Sequence, residues 1–204
     1  MMNMLEKIMG SSARVKLMRL FLFHPSEVFD GKMLADRARV RVATVRKEMR
    51  GLEKAGFVKK KKFKKESTAK NSSRLIKTSG WILNSDFPLI SQMRALLIDG
   101  RLIDHDDLAK RLRAGGSLKL ILIAGALMHD DERDIDMLLI GNRINKAHLS
   151  KEIKNIEAEI GRELRYALFS VEEFEYRVSM YDKLVRDVFD YPHRVLVNNL
   201  EMEI

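Results

Sequence analysis

Two stretches of this chain hold residues whose types and spacing could do chemistry. The first is residues 118–141, LKLILIAGALMHDDERDIDMLLIG. An apolar run ends at Gly125-Ala126, a short polar segment follows, and Asp134 and Asp136 stand two apart where a second apolar run begins. On an extended strand, residues two apart point to one side. The pair would then offer hard oxygen ligands of the kind that hold Mg²⁺ ions bridging a nucleoside triphosphate. The second stretch is cationic. It contains Arg39, Arg41, Thr44, Arg46, Lys47 and Arg50, followed by Lys59–Lys65, in which six of seven residues are lysine. Cations at helical spacing, followed by a cationic ribbon, suit a phosphate backbone. There is no cysteine, which excludes disulfides, thiolate metal sites and cysteine nucleophiles in this chain and fits a reducing compartment. His129 stands without a partner at metal-ligand spacing and reads as a surface residue, and the twelve methionines read mostly as core.

The charge is divided unevenly. The net +9 is made of +13 over residues 1–90 and −4 over residues 91–204. Such asymmetry predicts two domains, the first facing a polyanion. At 46% hydrophobic and 33% charged, the composition is that of a globular protein and excludes a disordered tail or a disulfide scaffold. The longest apolar run, residues 120–128, is about half of a bilayer span. The first ten residues lack the order of a secretory signal. A soluble, cytoplasmic protein with no membrane partner is expected.

The elements that must position these residues follow from periodicity and punctuation. Val15, Met18 and Leu22 predict a helix capped by Ser11 or Ser12 and ended at His24-Pro25. Asp30 opens a short helix. Residues 43–54 form another, with Val45, Met49 and Leu52 inward, Thr44, Arg46, Lys47 and Arg50 outward, and Gly56 after its end. Arg46 and Arg50 are four apart, as are Arg50 and Lys54. Each like-charge pair costs an isolated helix about 0.2–0.5 kcal/mol, which phosphates would offset. Residues 57–78 predict a hairpin with a polar turn over 66–73, and residues 90–112 a helical linker broken at Gly100. Apolar strands are expected at 118–124, 135–140 and 164–169, with a long amphipathic helix over 149–160 between the last two. Ser170 and Glu173 form a capping box opening a helix, and another helix reaches Phe189. The fold class is α+β.

Residues 14–90, including RVKLMRLFLFHPSEVFDGKMLADRARVRVATVRKEMRGLEKAGFVKK and LNSDFPLI, resemble the winged helix-turn-helix domain of prokaryotic transcriptional regulators. The resemblance implies that the 43–54 helix enters a major groove. It puts Thr44, Arg46, Lys47 and Arg50 at base edges or nearby phosphates, with Arg39 and Arg41 extending the positive edge. Lys60, Lys61, Lys62, Lys64 and Lys65 would lie on the wing. Arg41 stands where that family often has a small polar cap. Residues from 118 onward are similar to the minimal nucleotidyltransferase fold, whose motif is Gly-Ser, a spacer and Asp-x-Asp; GRELRYALFSVEEF and a final helix ending YPHRVL resemble its later elements. The departures are Gly125-Ala126 for Gly-Ser, Met128, His129 and Asp130 where a basic residue and glycine usually follow, and added charge at Asp130, Asp131 and Glu132. The expected third carboxylate is missing from the strand 164–169, with Glu163 only at its edge.

Together these imply a winged helix-turn-helix DNA-binding domain over 1–90, a helical linker over 91–116 and a nucleotidyltransferase-like α/β domain over 117–204. The expected function is a transcriptional regulator that binds double-stranded DNA as a homodimer, paired through helix 5–23 or residues 90–112. Its second domain would be inactive and serve dimerisation or sensing of an effector, a nucleotide being one candidate held near Gly125 and Ala126. No cofactor is required. The alternative is an active nucleotidyltransferase that modifies a protein or RNA, with Asp134 and Asp136 as catalytic metal ligands for Mg²⁺. A third reading, RNA binding, lacks an aromatic platform beyond Phe63.

Overall fold

Side-chain caps set where the first helices begin. Ser11 is extended at φ −159°, its hydroxyl oxygen accepts the Arg14 amide, and α2 (Ser12–Phe23) starts there, with α1 (Met4–Met9) before it across Gly10. Asp30 accepts the amides of Lys32 and Met33 at 2.9 Å and opens α3 (Gly31–Ala38), which ends at Arg39 in the left-handed region, φ 51°. In α4 (Val42–Lys54) the apolar stripe Val45, Met49 and Leu52 is buried. β1 (Val58–Glu66) and β2 (Leu75–Leu83) pair antiparallel from Val58 opposite Leu83 to Glu66 opposite Leu75. α5 (Ile90–Arg94) continues as a π-helical turn, Ala95–Asp99. The computed structural model describes residues 4–66, 75–99, 103–130 and 132–200, and the chain is mixed α+β.

It divides into two units, residues 1–100 with 158–162 and residues 101–157 with 163–204. In the first, Phe21, Phe29, Leu34, Val45, Met49 and Phe57 share one core. A third strand-like contact supports the hairpin: Phe29 and Trp81 exchange two backbone hydrogen bonds, at 2.9 and 2.8 Å. The approach requires a glycine next door, because a Cβ on Gly80 would lie 2.4 Å from the Phe29 carbonyl oxygen. Arg94 of α5 donates to the Leu22 carbonyl at 2.7 Å, and Leu97 and Ile98 join the same core.

The second unit begins with α6 (His105–Arg113), capped by Asp104, and then holds a four-stranded sheet. Its strands are β3 (Ser117–Ile123), β4 (Met137–Asn142), β5 (Tyr166–Phe169) and β6 (Arg194–Asn198), ordered β5-β4-β3-β6. β3 is antiparallel to both β4 and β6, while β4 and β5 run parallel and are joined through α7 (Lys146–Ile160). The inner strands are apolar on both faces, as strands covered on both sides must be. α8 (Val171–Ser179) opens where Ser170 accepts the Glu173 amide at 3.0 Å; with α9 (Lys183–Asp190) it covers one face through Phe174, Val185 and Val188.

Several expectations shift. The stretch RVL after Pro192, expected as the end of a helix, is strand β6, paired with β3. The second hairpin strand extends beyond Thr78 to Leu83. Gly10, at φ 69°, separates α1 from α2 within the helix expected over 5–23. The segment 91–116 contributes to both units. The expected hairpin turn falls mostly on residues 67–74 and the expected break on Gly100; these, with Asp131, lie outside the described residues. Among the described residues no helix is long and apolar enough to cross a membrane.

Candidate nucleic-acid interface

The outer face of α4 follows from what its inner face hides. With Val45 and Met49 turned fully into the core, Arg46, Lys47, Arg50 and Lys54 are exposed and Thr44 is half-buried. Among the described residues, Arg46, Lys47 and Arg50 form no ion pair with an acidic group. Their charge is left to solvent or to an anion. Arg39 and Arg41 are exposed in the turn before the helix. Arg41 stands at the N-cap and its side chain makes no capping bond, as its residue type foretells.

The inner face carries one residue that sequence reasoning missed. Glu48 is 5% exposed. Its carboxylate accepts the Ser11 hydroxyl at 2.8 Å and the Arg14 guanidinium at 2.9 Å, and Arg14 also donates to the Met9 carbonyl at 3.1 Å. A carboxylate taken out of water needs such charge-assisted partners. Here they fix how α4 is rotated against the start of α2, and therefore which way the cationic face looks. The available signal was an acidic residue inside the apolar stripe, three after Val45 and four before Leu52.

Strand alternation sorts the lysine arm. Lys60, Lys62 and Lys64 share one face of the hairpin with Trp81, Ser79 and Lys77, their register partners. This face abuts the end of α4: the Trp81 indole donates to Glu53 at 3.0 Å, and Lys60 lies 3.7 Å from the same carboxylate. Lys61 is on the opposite face with Phe63 and Lys65. Lys61, Lys62 and Lys64 are exposed, and no ion pair to an acidic side chain is found for them among the described residues. Lys65 differs. It is bound to Asp30, the cap of α3, and ties the hairpin to the helices. Burial alone would raise the Asp30 carboxyl; the Lys65 ammonium and the amides of Met33 and Lys32 outweigh it and hold the group below its ordinary value.

In the second unit, Asp134 and Asp136 stand in different surroundings. β4 begins only at Met137, so both precede it; Asp134 is exposed and Asp136 is wholly buried. The Asp136 carboxylate accepts the amides of Ala126 and Arg165, each at 2.8 Å, and two Arg165 guanidinium nitrogens at 3.3 Å. It staples the ends of β3, β4 and β5. Gly125, at φ 49°, serves the same staple, since a Cβ there would lie 2.5 Å from the Asp136 carboxylate. The 3₁₀ turn that follows, Gly125–Met128, has its amides turned inward: Leu127 donates to Ala124, and His129 and Asp130 donate to Ala126 and Gly125. Asp130 is bound by Arg133 at 2.7 Å, whose guanidinium holds that carboxyl below its ordinary value. β5 carries no carboxylate, and among the described residues no three acidic or histidine side chains are grouped so as to hold a metal ion.

Set against protein-family models, curated proteins and solved structures, the chain matches none of them.

Proposed function

We propose that this chain is a DNA-binding transcriptional regulator. Its first unit acts as a winged helix-turn-helix domain, with α4 as the helix that enters the major groove and the β1–β2 hairpin as the wing. The observation that carries this reading is a group of exposed cations without acidic partners among the described residues: Arg46, Lys47 and Arg50 on α4, and Lys61, Lys62 and Lys64 on the hairpin beside it. Phosphate contacts from such groups supply affinity, and side chains on one helix face supply base readout. Lys65, engaged by Asp30, acts here as a tether that holds the wing. One short recognition helix contacts few base pairs, so a homodimer on a two-fold site is the working form.

The second unit is read as a nucleotidyltransferase-like domain that has lost transfer chemistry and serves sensing or dimerisation. What supports this is the use made of Asp136 and of the Ala126 amide. A group that must hold metal or phosphate in the transition state is here engaged by neighbouring amides and by Arg165.

The test is fluorescence anisotropy with labelled duplex DNA, single-stranded DNA and RNA of one sequence, using wild type and Arg46→Ala/Arg50→Ala. Preferred binding of duplex, weakened at least about tenfold in the variant, is the expected result. Equal binding by the two proteins, or preference for single strands, overturns the reading.

A further inference from the structure

We propose that the second unit contains a binding site for a small organic cation, a primary amine or guanidine on a short aliphatic body. The site is a cavity of about 290 Å³ at the end of β3. That is about ten water volumes, the small end of the range for ligand pockets. Its floor is apolar: Ala124, Ile135 and Val188 are buried and Leu184 reaches its rim. One wall is built in advance. The Arg133 guanidinium lies 3.6 Å over the Tyr191 ring and is anchored by Asp130.

The charges at the mouth define the ligand. Three carboxylates line it, Glu132, Asp134 and Asp187, against two cations, Arg133 and Lys183. Arg133 is already committed to Asp130 and to the ring, so Lys183 alone faces three acids. Among the described residues none of those three acids has an ion-pair partner. A triphosphate or a carboxylate ligand would meet net negative charge, whereas an ammonium or guanidinium would be drawn in with its aliphatic part against Leu184 and Val188. The arrangement also gives Asp134 a use that Asp136 cannot share, since one side chain lines the cavity and the other is sealed in the core. The inference concerns the second unit alone and stands whether or not the first binds DNA.

Isothermal titration of the full chain at low ionic strength tests it, with agmatine and putrescine as probes and glutamate and Mg²⁺-ATP as anionic comparators. Either amine is expected to bind more tightly than both anions and to weaken as salt rises. Asp134→Asn/Asp187→Asn keeps the side-chain shapes and is expected to reduce amine affinity about tenfold or more. Leu184→Trp, which fills the cavity from its exposed rim, is expected to do the same by exclusion. If no amine binds to the wild type, if anions bind more tightly, or if the folded variants bind agmatine as wild type does, the proposal is overturned.

Discussion

Removing the Glu48 carboxylate tests whether the orientation of α4 rests on a buried polar anchor. Glu48→Ala deletes the acceptor of the Ser11 hydroxyl and of the Arg14 guanidinium. A hydrogen bond to a charged group contributes about 1.5–3 kcal/mol. Two opposing effects reduce the sum. The Arg14 side chain is 40% exposed and can rehydrate, and the cost of keeping a carboxylate at 6% exposure disappears with it. The net loss expected is about 1–3 kcal/mol, or roughly 5–15 °C in melting temperature for a unit of this size. Trp81 is the one tryptophan in the chain and lies in the first unit, so its fluorescence during urea unfolding reports that unit directly. Glu48→Gln, which keeps the shape and one acceptor, should fall between wild type and Ala. Arg14→Ala combined with Glu48→Ala should cost less than the two losses added, because the same bond is removed twice. A Glu48→Ala protein with an unchanged midpoint and slope would refute the reasoning.

Four further outcomes follow from the same structure. Gly80→Ala should cost about 2 kcal/mol, the two hydrogen bonds between Phe29 and Trp81 that its Cβ would push apart, read by the same fluorescence. Asp30 has a carboxyl depressed below its ordinary 3.8, so its contribution is complete above that value and is lost as pH falls through the lower, folded-state value; Asp30→Asn should flatten the acid end of the stability profile in urea melts. Asp136→Ala should cost about 2–4 kcal/mol by calorimetry, since it leaves the Ala126 and Arg165 amides without their acceptor while the Arg165 guanidinium, 45% exposed, can rehydrate, and wild type should transfer no label from any nucleoside triphosphate with Mg²⁺ or Mn²⁺.

Local features carried most of what could be read in advance. α4 was expected over 43–54 and spans Val42–Lys54, because an apolar stripe at helical period and a following glycine are both short-range signals. The caps at Asp30 and Ser170 follow from side-chain reach alone. The misses depend on partners distant in sequence. Lys65 looks like its neighbours until Asp30, 35 residues earlier, takes its ammonium. Glu48 looks misplaced until Ser11 and Arg14 are set beside it. β6 is short, and only pairing with β3, more than 70 residues earlier, makes Val195–Val197 a strand. Asp134 and Asp136 read as an alternating pair on the assumption that the strand starts before them; the staple to Ala126 and Arg165 turns one inward and leaves the other exposed.

The central claim is that six cations on α4 and the hairpin, Arg46, Lys47, Arg50, Lys61, Lys62 and Lys64, meet phosphates, and the dependence of duplex affinity on salt measures it most directly. Each neutralised phosphate contributes about −0.9 to the slope of log K against log salt, so six contacts per chain give about −5. Arg46→Ala/Arg50→Ala should bring the slope to about −3.5 per chain while the Trp81 unfolding midpoint stays in place. A wild-type slope near zero, or the same slope in both proteins, would contradict the claim.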